Sequence, residues 1–210
     1  MNAPTRPRAL EGIRIVDFTR VLAGPLSTVL LADLGAEVIK VEPPQGDDYR
    51  GIGPFRDGES ALFTIVNRGK RGVVLDLKQP AAQALARDLI ATADVVVENF
   101  RPGVAARLGL GAEALLAAQP RLVYVSISGY GQTGPMAELP AYDIIMQATT
   151  GLMHVTGDPA GEATLVHQGV AYRVDQPELV ALESFADAFS ASDQKLHKMF
   201  HVDEALRVRA

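Results

Sequence analysis

The chain has 210 residues, of which 48% are hydrophobic and 21% are charged, so it is long enough to bury a core and form one large domain. It has no cysteine, which excludes disulfides and thiolate metal sites and makes a reducing cytoplasm its expected location. A net charge of -5 argues against nucleic-acid binding, and no apolar run reaches the roughly 18 residues of a membrane span.

Short runs rich in valine and isoleucine alternate with longer runs rich in alanine and leucine, a pattern typical of strands alternating with helices. Residues 1–10 begin with MNAPTRPR and are predicted to form a flexible arm. Strands are predicted at Arg14–Phe18, Glu37–Glu42, Gly72–Leu77, Val95–Asn99 and Leu122–Ile127. The alternation predicts an α/β fold with an open, mostly parallel, Rossmann-like sheet and helices on both faces.

The first helix is expected after the first strand, in AGPLSTVLLADLG, because Pro25 suits a first helical turn and Gly35 the left-handed position past its end. Proline and glycine make residues 43–60 a surface loop that could rim a ligand site. The basic residues Arg68, Lys70 and Arg71 are interpreted as a solvated turn, with contact to the phosphates of a ligand as the alternative. Further helices are predicted at Pro80–Ala93, at Gly111–Gln119, at Ala141–Met153, and in a tail with a start at Pro177.

The turn after the first strand reads TRVLAGP and lacks the glycine pattern G-x-G-x-x-G of dinucleotide-binding proteins. An NAD site is therefore disfavoured. What remains is a helix N-terminus behind a turn, whose N–H groups and dipole could hold another anion.

Six segments occur in order along the chain: LEGIRIVDFTRVLAGP, LLADLGAEVIKVEPP, NRGKRGVVLDLK, ADVVVENFRPG, SISGYGQTGP and YDIIMQATTGLMHVTGDP. Together they resemble the amino-terminal part of the family III CoA-transferases, which include formyl-CoA and carnitinyl-CoA transferases and, more distantly, α-methylacyl-CoA racemases. The resemblance runs from about Leu10 to Gly169. It implies a Rossmann-like large domain over residues 11–170 that lacks the family's second half, followed by a divergent helical tail over residues 171–210.

By that resemblance CoA lies along the carboxyl ends of the strands. The positions that match the family's CoA contacts are Arg20, Val21, Ala23, Leu75, Lys78, Asn99, Phe100 and Arg107. Their chemistry is suitable, because apolar walls can sandwich an adenine and cations can neutralise phosphate.

Each of these positions also has a structural interpretation. Arg107 and Lys78 could be solvated cations, and Leu75 and Phe100 could be core residues. Asn99 could simply end a strand.

The resemblance further implies nucleophilic catalysis by an aspartate, through an anhydride and an aspartyl-CoA thioester. Asp175 is the candidate nucleophile, although its distance from the preceding glycine is one residue longer than in the family. The alternative for Asp175 is a capping residue for the helix at Pro177, and Asp143 is a reserve candidate. His197 and His201 lie four residues apart and could bind metal, but surface placement is favoured and no metal site is predicted.

The resemblance leaves two classes of function open. The first is an enzyme that moves CoA between carboxylic acids, with acyl-CoA and an acid as substrates and no tightly bound cofactor. The second is a non-catalytic subunit or remnant that binds acyl-CoA. Acyl-CoA racemisation is a further alternative, but Tyr142 stands where racemases carry histidine. The resemblance also implies a homodimer, or a second subunit that completes the fold.

Overall fold

The computed structural model describes residues 8–157, 164–167 and 170–173. The chain divides into two compact units, with the division between Glu138 and Leu139. The first unit is built on a five-stranded sheet in the order β5-β2-β1-β6-β7. These strands are β1 (Arg14–Asp17), β2 (Glu37–Glu42), β5 (Arg71–Val74), β6 (Val95–Glu98) and β7 (Val123–Ser126). A two-stranded hairpin, β3 (Phe55–Arg56) and β4 (Glu59–Ser60), lies outside this sheet.

All neighbouring strands of the large sheet run parallel. The chain proceeds from β1 outward through β2 to β5, and then returns to the other side of β1 to add β6 and β7. The direction of strand addition therefore reverses between β1 and β6. In open α/β sheets, ligands bind in the crevice at the carboxyl ends of the strands at such a reversal.

The helices of this unit are α1 (Ala23–Asp33), α2 (Ala61–Asn67), α3 (Pro80–Ala91), α4 (Val104–Arg107) and α5 (Ala112–Ala118). Successive residues of β1 enter different cores, as the two-residue period of a strand requires. Val16 belongs to a cluster with Ile90 of α3 and Leu115 of α5, whereas Ile15 belongs to a cluster packed by Leu31 of α1. Helices thus cover both faces of the sheet, and the predicted α/β fold is confirmed.

The strands and helices predicted up to Gln119 and at Leu122–Ile127 are found, with ends that differ by a few residues. The third predicted strand, Gly72–Leu77, ends at Val74 because the chain turns at Asp76, whose side chain accepts the Lys78 N–H at 3.2 Å. Gly35 has the expected left-handed φ of 108° just past α1. Helix α4 was not predicted, since its four residues are too few to show a helical period.

The segment of residues 43–60 is not wholly the surface loop that its composition suggested. It contains a 3₁₀ turn at Asp48–Gly51 and the β3–β4 hairpin. Asp47, which precedes the 3₁₀ turn, is buried, and its side chain accepts the Tyr49 N–H at 3.0 Å. That prediction was wrong for Asp47 because composition cannot distinguish a solvated carboxylate from one buried against a cation.

The second unit contains α6 (Asp143–Thr149) and the antiparallel strands β8 (Thr164–His167) and β9 (Val170–Arg173). Helix α6 is shorter than the predicted Ala141–Met153, and Gly151 beyond it has a φ of 78°. The predicted tail, including the helix start at Pro177, lies outside the described residues. In the described part of the chain no helix is long and apolar enough to cross a membrane.

Gly24 is a position where α1 lies tightly against the turn that follows β1. A Cβ atom at this residue would lie 2.3 Å from the Cβ of Thr19, which is itself fully buried. We therefore expect Gly24→Ala to lower the free energy of unfolding by about 1–3 kcal/mol, the usual cost of overpacking. Urea denaturation measures this, with Gly72→Ala as the control because a Cβ at Gly72 meets no atom within 4 Å. Equal stability of the two variants would contradict the close approach.

Candidate functional site

The candidate site lies where the turn after β1 meets the residue that follows β6, at the reversal of strand order. Asn99 joins the two sides. Its Oδ1 accepts the Arg20 N–H at 2.9 Å, and its Nδ2 donates to the Arg20 carbonyl oxygen at 2.9 Å. The side chain of Asn99 therefore fixes the main chain of Arg20, a role beyond ending a strand.

Phe100 extends this contact into an aromatic cluster. Its ring centroid lies 6.5 Å from that of Phe18 at the end of β1. The guanidinium carbon of Arg20 lies 5.9 Å from the Phe100 centroid, within the range of a cation–π contact. Glu98 fixes the start of this turn by accepting the Phe100 N–H at 2.8 Å. The structure thus brings together Arg20, Asn99 and Phe100, three of the residues predicted to bind CoA.

Val21, the next predicted contact, has an unusual backbone conformation. Its φ is 66°, in the left-handed region that β-branched residues rarely adopt. Such strain costs on the order of 1–3 kcal/mol and persists only where the surroundings impose it. Here the Val21 N–H donates to Asp47 Oδ1 at 3.1 Å.

Two buried ion pairs lie behind this turn. In the first, Lys40 Nζ lies 2.8 Å from Asp47 Oδ2, and the two side chains are 2% and 0% exposed. The contact is an ion pair without the alignment of a hydrogen bond, because Asp47 Oδ2 accepts no hydrogen bond within the described residues. Lys40 Nζ also donates to the Thr19 carbonyl oxygen at 2.8 Å. One ammonium group therefore connects the first turn to the residues that follow β2.

In the second pair, Lys70 Nζ lies 3.0 Å from Asp17 Oδ2, the carboxylate that ends β1. Lys70 also donates to the Pro25 carbonyl oxygen at 2.9 Å and to Asn67 Oδ1 at 3.0 Å. Burial lowers the pKa of Lys70, and the neighbouring Asp17 offsets part of that effect. The interpretation of Lys70 as part of a solvated turn is wrong, because this side chain is 2% exposed. Its neighbours Arg68 and Arg71 are exposed, as expected.

Glu42, at the end of β2, completes the polar layer. It accepts hydrogen bonds from Arg50 Nε at 2.7 Å and Nη2 at 2.8 Å, and from the Asp47 N–H at 3.0 Å. Burial acts to raise the pKa of Glu42, but these donors outweigh it and hold the pKa below its ordinary value. The guanidinium of Arg50 stacks 3.7 Å from the Phe63 centroid.

The remaining predicted residues are more dispersed. Leu75 follows β5, is half-buried, and packs against the same hydrophobic cluster as Phe100. Ala23 opens α1 and is exposed. Lys78 and Arg107 are exposed cations for which the described residues provide no ion-pair partner, and neither contacts the Arg20–Asn99 pair in any described interaction. The role of each in binding stays a prediction.

The carboxylates proposed for catalysis differ in what the structure describes. Asp175 lies outside the described residues. Asp143 is the first residue of α6, in the second unit, and its Oδ2 accepts from Gln147 Nε2 at 2.6 Å. His197 and His201 also lie outside the described residues. Within the described residues, no three or more histidine, cysteine, aspartate or glutamate side chains form a cluster that could hold a metal ion.

Sequence reasoning missed three charged residues that build this site, Asp17, Lys40 and Asp47, and misinterpreted a fourth, Lys70, as solvated. A signal was available for two of them. Asp17 and Lys40 occur within the apolar strand sequences RIVDF and EVIKVE. A charge in a strand that is buried on both faces requires a partner, so each of these two charges indicates a buried polar contact.

Comparison with known proteins gives consistent matches to one family. The family described as CoA-transferase family III matches residues 10–175. Among curated proteins, an acetyl-CoA:oxalate CoA-transferase from Acetobacter aceti is 49% identical over 167 residues, which are 79% of this chain and 43% of that protein. A succinate–glutarate CoA-transferase from Agrobacterium fabrum is 49% identical over 169 residues, covering 77% of this chain and 42% of the relative.

Solved structures agree with these matches. A CAIB/BAIF family protein from Brucella suis superposes with a TM-score of 0.73 at 38% identity, over 92% of this chain and 51% of that one. The chain therefore spans about two fifths of the length of these curated relatives and half the length of this solved one.

We expect Lys70→Met to be strongly destabilising, because it leaves the buried Asp17 carboxylate without its cation. Removal of one partner of a buried pair costs about 3–5 kcal/mol. Arg71→Met is the matched control, since the neighbouring Arg71–Glu37 pair is exposed and exposed pairs contribute at most about 1 kcal/mol. Chemical denaturation of both variants checks this. A loss of similar size in the two would show that Lys70 is not effectively buried.

A pH dependence follows from Glu42. Because the folded pKa of Glu42 is lowered, its contribution to the free energy of unfolding is fully present above the ordinary pKa of a glutamate side chain. That contribution is lost as the pH falls through the lower folded pKa. Arg50→Met removes the main donor while burial remains, so the pKa of Glu42 should rise. The stability difference from wild type should then be largest at neutral pH and narrow in acid.

Urea denaturation at a series of pH values measures this difference. Arg56→Met is the control, because the Arg56–Asp57 pair is almost fully exposed and its variant should follow the wild-type curve at every pH. A stability difference for Arg50→Met that stays constant down to acid pH would contradict the lowered pKa of Glu42.

Proposed function

Because the chain belongs to CoA-transferase family III, we propose that it moves CoA between carboxylic acids through an aspartyl-CoA thioester. The names of its relatives support the exchange, since each pairs two acids: acetate with oxalate, and succinate with glutarate. The proposed partners are an acyl-CoA, a carboxylic acid, and a second copy or second subunit in the cytoplasm.

The observation that carries this proposal is the construction of the turn between β1 and α1. The N–H groups of Ala23 and Gly24 open an eleven-residue helix and donate to no acceptor within the described residues. Leu22 at the N-cap has no side-chain oxygen to cap them. Unpaired N–H groups and the helix dipole both favour an anion at this end. The turn also lies at the reversal of strand order, where such sheets bind ligands.

CoA presents groups that match the surrounding residues. We propose that Leu75 and Phe100, which pack against one hydrophobic cluster, contact the adenine. Arg20, Val21 and Ala23 line the pantetheine and pyrophosphate, with Asn99 holding the turn and offering its remaining N–H. Lys78 and Arg107 supply positive charge for the phosphates, which suits their exposure and the absence of ion-pair partners within the described residues.

In the proposed reaction the Asp175 carboxylate attacks the thioester carbonyl carbon and expels CoA thiolate, giving a mixed anhydride. The thiolate then attacks the aspartyl carbonyl, which releases the first acid and leaves CoA on the aspartate. The second acid reverses these two steps and leaves as the new CoA ester. Two easier displacements thus replace one difficult exchange.

The covalent step predicts a specific product. When the chain is incubated with acetyl-CoA or succinyl-CoA and then with hydroxylamine, Asp175 should become a hydroxamate that mass spectrometry locates by peptide. Asp175→Asn should abolish the label, whereas the matched variant Asp143→Asn should retain it. A label at Asp143 instead would contradict the assignment of the nucleophile.

Thermal denaturation with millimolar CoA separates this activity from the alternative of a non-catalytic binder. A ligand that binds only the folded state raises the melting temperature. A raised melting temperature without any hydroxamate would favour the acyl-CoA-binding alternative. An unchanged melting temperature would contradict CoA binding altogether.

A further inference from the structure

The turn after β1 is held in place by side chains from other parts of the first unit. Five consecutive main-chain polar groups, from the Thr19 N–H to the Val21 N–H, each bond a side chain. The side chains that hold them are those of Asp17, Lys40, Asp47 and Asn99. Because each of these groups is held by a side chain, the main chain from Thr19 to Val21 cannot easily relax to another conformation. A strained backbone conformation persists under such constraint.

Lys40 and Asp47 act on both ends of this segment. The ammonium group of Lys40 holds the Thr19 carbonyl oxygen, and the carboxylate of Asp47 holds the Val21 N–H. The two side chains lie 2.8 Å apart as an ion pair. The distance between Thr19 and Val21 is therefore constrained by one buried electrostatic contact, and Val21 carries the resulting left-handed φ of 66°.

We propose that the Lys40–Asp47 pair is a positioning device for CoA: it imposes the left-handed conformation of Val21 and so places the N–H groups at the start of α1. The inference rests on the proposed function, because it assigns residues that act on the same turn. Neither side chain reaches solvent, so neither touches the ligand. Both act through Val21.

The energetics of buried ion pairs support a positional role over a merely stabilising one. Desolvation of two charges offsets most of their attraction, and well-packed apolar replacements are often equally stable. Leucine or methionine in place of the pair would therefore give a fold of about the same stability. What apolar side chains cannot supply is a donor for the Thr19 carbonyl and an acceptor for the Val21 N–H.

The size of the effect follows from the population of the binding-competent turn. Without the pair, valine favours a negative φ, and the left-handed turn becomes a minor conformation. The apparent affinity falls in proportion to the competent fraction, so a turn that is correct one tenth of the time binds CoA about tenfold more weakly. Glycine at this position would adopt a positive φ without steric cost.

Isothermal titration calorimetry of CoA against the full chain tests the proposal. The single variant is Asp47→Leu, which removes the acceptor of the Val21 N–H. The paired variant Lys40→Met with Asp47→Leu leaves no unpaired buried charge, so it keeps the test valid if the single variant does not fold. Adding Val21→Gly to the pair gives the rescue variant. Asp48→Leu is the matched control, since it makes the same substitution at the adjacent, exposed residue.

The expected result is about a tenfold or greater loss of CoA affinity in the paired variant, no change for Asp48→Leu, and recovery of part of the loss when Val21→Gly is added. A purely structural role would not predict that recovery. Wild-type affinity in a folded paired variant, or a loss that Val21→Gly does not reduce, would overturn the inference. Failure of the wild-type chain to bind CoA would instead contradict the proposed function.

Discussion

Burial of charge at the carboxyl end of the sheet constrains everything built there. Asp17 ends β1 and Lys40 lies in β2, and both are inaccessible to solvent. A lone charge in such a position is prohibitively expensive, so each requires an opposite charge from elsewhere in the chain. Lys70 comes from the approach to β5 and Asp47 from the segment after β2. The two ion pairs therefore connect the turn after β1 to Lys70, which precedes β5, and to Asp47, which follows β2.

These pairs explain how an unfavourable conformation is maintained. The left-handed φ of Val21 opposes the preference of its own side chain, and only its surroundings can maintain it. Asn99, which follows β6, holds the main chain of Arg20, the residue before Val21. The site thus lies between two strands that are neighbours in space and about 80 residues apart in sequence. Its geometry depends on the sheet having formed with the correct strand order.

The sequence predicted the sheet well because hydrophobic periodicity is local. The runs RIVDF and VVVEN are apolar enough to indicate buried strands without further information. The ion pairs could not be predicted in the same way, since the partner of Lys70 is 53 residues distant and no short-range pattern joins them. Lys70 lies between two exposed arginines in RGKR, and composition alone favours solvent for all of them. The motif resemblance predicted Asn99 as a ligand contact, whereas its observed contacts are with the backbone of Arg20.

The hydrogen bonds that fix the first turn use its main-chain atoms, while the side chains of Thr19 and Arg20 add a hydroxyl bond to Asp17 and a cation–π contact with Phe100. Every bond from Thr19 N–H to Val21 N–H is made to a main-chain atom, and Leu22 is almost half exposed. Leu22, whose side chain is exposed, can therefore change what the turn presents to solvent without altering the hydrogen bonds that fix the main chain from Thr19 to Val21.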